Sequence, residues 1–121
     1  MKREEIKEYL SQLPFSIETY PFDEVTCVYK VGGKMFALLS THESDRLSIN
    51  LKNTPDTNIL LKDMYEEVTE AYHMNKTHWV TVYCDRTLSE SVIHNLIDES
   101  YAIVYKSLTK KLKLELESNI Y

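Results

Sequence analysis

The chain is expected to fold as an α+β two-layer sandwich, one antiparallel sheet with its helices on one face. Three observations predict this. The apolar period switches from helical spacing to alternation and back, a Gly32-Gly33 pair separates two strand patterns, and nothing interrupts the order helix, three-strand meander, helix, strand, long helix.

Each element follows from its own pattern. Ile6, Tyr9, Leu10 and Leu13 sit at helical spacing over residues 2–13, and Pro14 ends the run. From Val25 the period is two: Val25, Cys27, Tyr29 and Val31 alternate with Thr26, Val28 and Lys30, and after the glycines the pattern resumes from Lys34 to Leu39. Both positions of the favoured two-residue hairpin turn need positive φ, so Gly-Gly sets a tight turn. Its register puts Val31 opposite Lys34, Tyr29 opposite Phe36 and Cys27 opposite Leu38. Beyond a polar loop, Leu47, Ile49 and Leu51 point inward while Arg46, Ser48, Asn50 and Lys52 point out. Thr54-Pro55-Asp56 starts a second helix, with Leu60, Leu61, Met64, Tyr65 and Val68 as its buried stripe. A fourth strand runs from His78 to Asp85, Val80 and Val82 facing the helices and Trp79, Thr81 and Tyr83 facing away. Thr87-Leu88-Ser89-Glu90 reads as a capping box for a long helix through Ile93, Leu96, Ile97, Ser100, Val104 and Leu108, with Tyr101 and Tyr105 sealing the edge of the core. Phe36, Leu38, Ile49, Val82 and Leu96 are expected core residues, and the face opposite the helices is expected to be open.

With 121 residues the chain, 1–121, makes one domain with a single core. A net charge of −5 argues against a uniformly basic nucleic-acid surface, although residues 100–114 hold Lys106, Lys110, Lys111 and Lys113 with no acid. No apolar run approaches the roughly 18 residues of a membrane span, and Met1-Lys2-Arg3-Glu4-Glu5 lacks the apolar core of a signal peptide. A cytoplasmic location is therefore expected, with Cys27 and Cys84 as buried, reduced thiols.

The densest chemistry lies in Tyr72-His73-Met74-Asn75-Lys76-Thr77-His78-Trp79, directly ahead of Val80-Thr81-Val82. Two readings compete there. In the architectural one Asn75 and His73 close the turn into the strand, Met74 plugs the core and Trp79 covers the sheet edge; in the binding one the block belongs to a site. This block, together with Lys30-Val31-Gly32-Gly33-Lys34-Met35-Phe36-Ala37 and Leu96-Ile97-Asp98-Glu99-Ser100-Tyr101, resembles the signature blocks of the MmcQ/YjbR family of small bacterial proteins. The resemblance spans almost the whole chain, with Ala71 standing where the family pattern often has glycine. It implies a CyaY-like, frataxin-like fold, and the family is commonly labelled DNA-binding.

For function, the expectation is a non-enzymatic binding protein with no cofactor. Ser40, Ser100, Cys27 and Cys84 are available alongside His42, His73, His78 and His94, yet none lies in a recognisable nucleophile motif. Gly32-Gly33 is a hairpin turn, since no helix N-terminus follows it to complete an anion site. His73, His78 and Cys84 make a poor zinc set, because Cys84 lies about 20 Å from His78 along an extended strand. The frataxin-like fold implies a further alternative, weak metal binding by Glu4, Glu5, Glu8, Asp23 and Glu24. The leading ligand class is nucleic acid, DNA included, held by the open face and the dense block. Its expected contacts are Lys30, Arg46, Asn50, Lys52, His73, Asn75, Lys76, His78, Trp79 and Tyr83, aromatics stacking on bases and cations meeting phosphates. A protein-interaction adaptor using the same face is the alternative.

Overall fold

In a computed structural model describing residues 1–41, 46–71, 74–85 and 87–118, both hairpin glycines take positive φ, 57° at Gly32 and 81° at Gly33. The turn joins β2 (Cys27–Val31) to β3 (Lys34–Leu39). Its first glycine has a second task, because a Cβ there would lie 2.7 Å from Cδ1 of Leu108, whereas one at Gly33 would meet nothing within 4 Å.

The register starts as expected, with Val31 opposite Lys34 and Lys30 opposite Met35, and then slips by one so that Tyr29 faces Ala37 and Cys27 faces Leu39. Phe36 is the extra residue of a β-bulge. The expected pairs Tyr29–Phe36 and Cys27–Leu38 are thereby corrected, and Leu38 leaves the core for the outer face, where it pairs with Val28 and is half-buried. Phe36, Ala37 and Leu39 all turn inward and are fully buried.

The remaining elements are α1 (Arg3–Gln12), β1 (Ile17–Thr19), β4 (Ser48–Lys52), α2 (Pro55–Met64), β5 (Val68–Glu70), β6 (Trp79–Tyr83), α3 (Glu90–Ser107) and α4 (Lys110–Ser118). The six strands form one antiparallel sheet in the order β1, β2, β3, β4, β6, β5. Against its inner face pack Ile6 and Leu10 of α1 and Ile93, Leu96, Ile97 and Val104 of α3, meeting Tyr29, Phe36, Ile49, Val80 and Val82. Tyr101 seals the edge as expected, its ring edge-on to Phe36 at 5.3 Å and stacked with Tyr105 at 5.9 Å.

Local expectations shift in four places. The edge strands β1 and β5 are only three residues each, too short to write an alternating pattern. On α2 Leu61 reaches the core, but Leu60 and Met64 stand 60% and 65% exposed, and Val68 belongs to β5. The cap of α3 is Ser89, whose side chain accepts from Val92 N, while Thr87 instead bonds Glu67. That helix stops at Ser107 with Leu108 as its C-cap, and α4 follows.

Ser100 joins the two layers. Its Oγ donates to the carbonyl of Phe36 at 2.6 Å and accepts from Lys52 N at 2.8 Å, bridging β3 and β4 just beyond their last ladder pair, Ala37 with Leu51. Ser100→Ala leaves two main-chain groups without that partner and is expected to cost about 2–4 kcal/mol in urea unfolding; a loss under about 0.5 kcal/mol would refute the bridge. Gly32→Ala should lower the melting temperature more than Gly33→Ala, since both pay for positive φ but only the former meets Leu108.

Candidate ligand pocket on the outer sheet face

One transverse row crosses all six strands on the outer face: Thr19, Val28, Leu38, Asn50, Thr81 and Thr69, each opposite the next. Near its middle Leu38, Asn50 and Thr81 line a cavity of about 480 Å³, together with Ser48 and Tyr83 from neighbouring strand positions and Thr26 and Ser40 just off the ends of β2 and β3. Phe22, from the loop between β1 and β2, and Met74, from the segment between β5 and β6, complete the walls. The face expected to be open is thus partly enclosed, and the bulge is what delivers Leu38 to it.

The lining is fixed by hydrogen bonds from within. Thr81 Oγ1 donates to Asn50 Oδ1 at 2.6 Å, and Ser48 N donates to Ser40 Oγ at 3.0 Å. Asp23 knots the loop that carries Phe22: Oδ1 accepts from Val25 N and Thr26 N, Oδ2 from Thr26 Oγ1, and these bonds hold the carboxyl below its usual range. At one end of the cavity the Arg46 guanidinium lies 3.8 Å over the Tyr83 ring and grips Asp85 with two bonds, at 2.9 and 3.0 Å.

The structure distributes the residues expected to bind nucleic acid over two ends of the sheet. Lys30 and Lys52 are half-buried at outer-face positions, Lys52 opposite Trp79, whereas Arg46 and Tyr83 stand four residues away along β6, about 13 Å. Asn50 is in the pocket. Trp79 is 8% exposed, so its ring face is turned away from solvent. Asn75 closes a turn: its Oδ1 accepts from Thr77 N and His78 N, and its carbonyl accepts from Trp79 N. Lys76 Nζ reaches the carbonyl of Ala71 at 3.5 Å. His78 has an exposed side chain and a carbonyl that accepts from Asn53 N, and Asn58 Nδ2 donates to the carbonyl of Thr77. His73, with Tyr72 and His42, lies outside the described residues. The described part of the dense block is therefore a side-chain-capped turn pinned to the start of α2.

No three His, Cys, Asp or Glu side chains gather as a metal site among the described residues; Glu4, Glu5 and Glu8 lie on α1, and Asp23 is occupied by its own loop. Burial pushes the Cys84 thiol up to about 12, and both cysteines are buried and free. No described helix is long and apolar enough to cross a membrane.

Sequence reasoning marked Asn50 and Tyr83 but missed Phe22, Thr26, Leu38, Ser40, Ser48, Met74 and Thr81 as pocket residues. The outward alternation on β4 and β6 carried a signal for Ser48 and Thr81, whereas Leu38 depends on the bulge and Phe22 lies in a loop without periodicity.

These features define a small α+β sandwich domain, six antiparallel strands with helices on the inner face and a pocket on the outer. A family model described as YjbR matches residues 11–103. The chain belongs to this YjbR (DUF419) family. It is 36% identical over 108 residues to the protein YbdF of Escherichia coli O157:H7, covering 89% of this chain and 88% of that one. To the protein YjbR of Escherichia coli K12 it is 33% identical over 97 residues, covering 80% and 81%. The crystal structure of Deinococcus radiodurans protein DR2400, domain DUF419, superposes with a TM-score of 0.86 at 35% identity, over 94% of this chain and 86% of that one. A crystal structure of a Pseudomonas syringae protein gives a TM-score of 0.75 at 26% identity, over 86% and 99%.

The strand that leads into the Phe22 loop has an acid-sensitive anchor. Glu18 of β1 accepts from the hydroxyls of Tyr29 at 2.7 Å and Tyr20 at 2.8 Å, with Lys7 Nζ 3.9 Å away, and these bonds depress its carboxyl pKa. A depressed carboxylate contributes stability that is present above its unfolded value of about 4.3 and is lost as pH falls through the lower folded value. Between about pH 5 and 3 the wild type should therefore lose more stability than Glu18→Gln, as read from melting curves; parallel losses would show that the anchor contributes nothing.

Proposed function

We propose that the protein is a non-catalytic binding protein whose ligand is a small, uncharged molecule held in the outer-face pocket. The observation that carries this reading is the lining itself: Phe22, Leu38 and Met74 beside the hydroxyl or amide groups of Thr26, Ser40, Ser48, Asn50, Thr81 and Tyr83, with no ionised side chain lining it among the described residues. The cation at the cavity's end, Arg46, is paired with Asp85, and among the described lining residues a neutral ligand gains apolar contact and hydrogen bonds. A volume of about 480 Å³ suits such a ligand. None of the lining hydroxyls hydrogen-bonds an imidazole or amine base among the described residues.

A nucleic-acid strand laid across the same face is the second reading, favoured by Lys30 and Lys52 at outer-face positions. Each phosphate so neutralised should contribute about −0.7 to the slope of log affinity against log salt for a single strand. Anisotropy of a labelled oligonucleotide, with Lys30→Ala and Lys52→Ala as variants, measures that slope.

The pocket reading is tested by a melting-temperature screen of neutral small molecules against the wild type and Leu38→Trp, which grows an indole into the cavity. A ligand at about 100 times its Kd stabilises the wild type by about 2.7 kcal/mol, and the variant, still folded, is expected to show no shift. Equal shifts in both proteins would place the ligand elsewhere.

A further inference from the structure

We infer that the ligand is a flat heteroaromatic ring with carbonyl or ring-nitrogen acceptors along one edge, and that Asn50 sets its specificity; this rests on the pocket reading above. The contact between Thr81 Oγ1 and Asn50 Oδ1, at 2.6 Å, is short for N–H···O and normal for O–H···O. The hydroxyl is therefore the donor and the amide is oriented with its oxygen toward Thr81. Asn50 Nδ2 is left as a donor with no protein partner among the described residues, on a half-buried side chain that lines the cavity.

The other free polar groups lean the same way. Ser48 Oγ and the Tyr83 hydroxyl have no protein partner among the described residues, and Ser40 Oγ, which accepts from Ser48 N, keeps its own proton to give. The Asn50 amide nitrogen is a donor only and the hydroxyls can donate beside it, so an acceptor-bearing edge satisfies the one group here that cannot accept. The walls select for shape. The Tyr83 ring and the Met74 thioether, with Phe22 at the rim and 63% exposed, favour a flat π-system over a sugar, whose faces carry hydroxyls. The cation nearest the cavity, Arg46 beside Tyr83, is already paired with Asp85, so the ring itself needs no charge to be held.

Uridine, adenosine, nicotinamide and indole, titrated separately and followed by amide chemical shifts including the Asn50 side chain, test this. Uridine, adenosine or nicotinamide is expected to move the Asn50 side-chain signal, and the identity of the best probe separates nucleobase-like from pyridine-type ligands. Asn50→Leu should weaken that probe by about tenfold while changing indole affinity by less than about twofold. Asn50→Asp, which keeps the side-chain shape and replaces the donor with acceptors, provides the same reading should the leucine variant fail to fold. Acceptor-bearing probes that bind wild type and both variants alike, or indole binding as tightly as they do, would overturn the specificity claim and leave the pocket standing. Binding of none of the four to the wild type would overturn the ring-and-acceptor claim, while the pocket reading stands or falls by the melting-temperature screen with Leu38→Trp.

Discussion

A single serine hydroxyl, set by a helix into the seam between two strands, is the constraint around which this domain is arranged. Past Ala37 and Leu51 the ladder between β3 and β4 is replaced by Ser100 Oγ, which serves one main-chain carbonyl and one main-chain N–H at once. Such groups are costly to bury unpaired. The bulge at Phe36 lies at this seam, so the helix that closes the inner layer is also the one that stabilises the irregularity in the sheet.

The bulge divides the molecule's two faces. It adds Phe36 and Ala37 in succession to the core side and returns Leu38 to the outer side, where an uninterrupted alternation would have put Ala37. Without that slip the outer face near Asn50 and Thr81 would carry a small methyl in place of the isobutyl group that gives the cavity one of its apolar contacts. The packing demand of the helix layer and the shape of the pocket are thus two results of one inserted residue.

The layered architecture was legible because its signals are periodic and local. The two glycines specify a turn, β4 and β6 alternate cleanly, and α3 writes a long apolar stripe. The pocket was only half legible. Asn50, Ser48, Thr81 and Tyr83 follow from alternation, but a bulge is chosen by tertiary packing and leaves no mark in a strand whose residues are mostly apolar. Trp79 shows the converse. Its chemical prominence suggested a surface role, yet the indole is buried, behind a turn held by the side chains of Asn75 and Asn58. Within that turn Asn75 satisfies the main chain of Thr77 and His78, and Lys76 reaches that of Ala71.

The order of the strands bears on how the domain opens. Among the described residues β5 has β6 as its sole strand partner, and β6 reaches the hairpin strands only through β4. Breaking the single β4–β6 seam therefore frees two strands at once, while β1 to β4 keep every ladder they had. Thr81, Tyr83 and Met74 belong to the part that departs, and Phe22, Thr26, Leu38, Ser40, Ser48 and Asn50 to the part that stays. The cavity straddles this seam, so an occupant that touches both halves acts as a clasp. Hydrogen exchange in β5 and β6 would slow on its arrival while the amides of the β2–β3 hairpin, already protected, register little change.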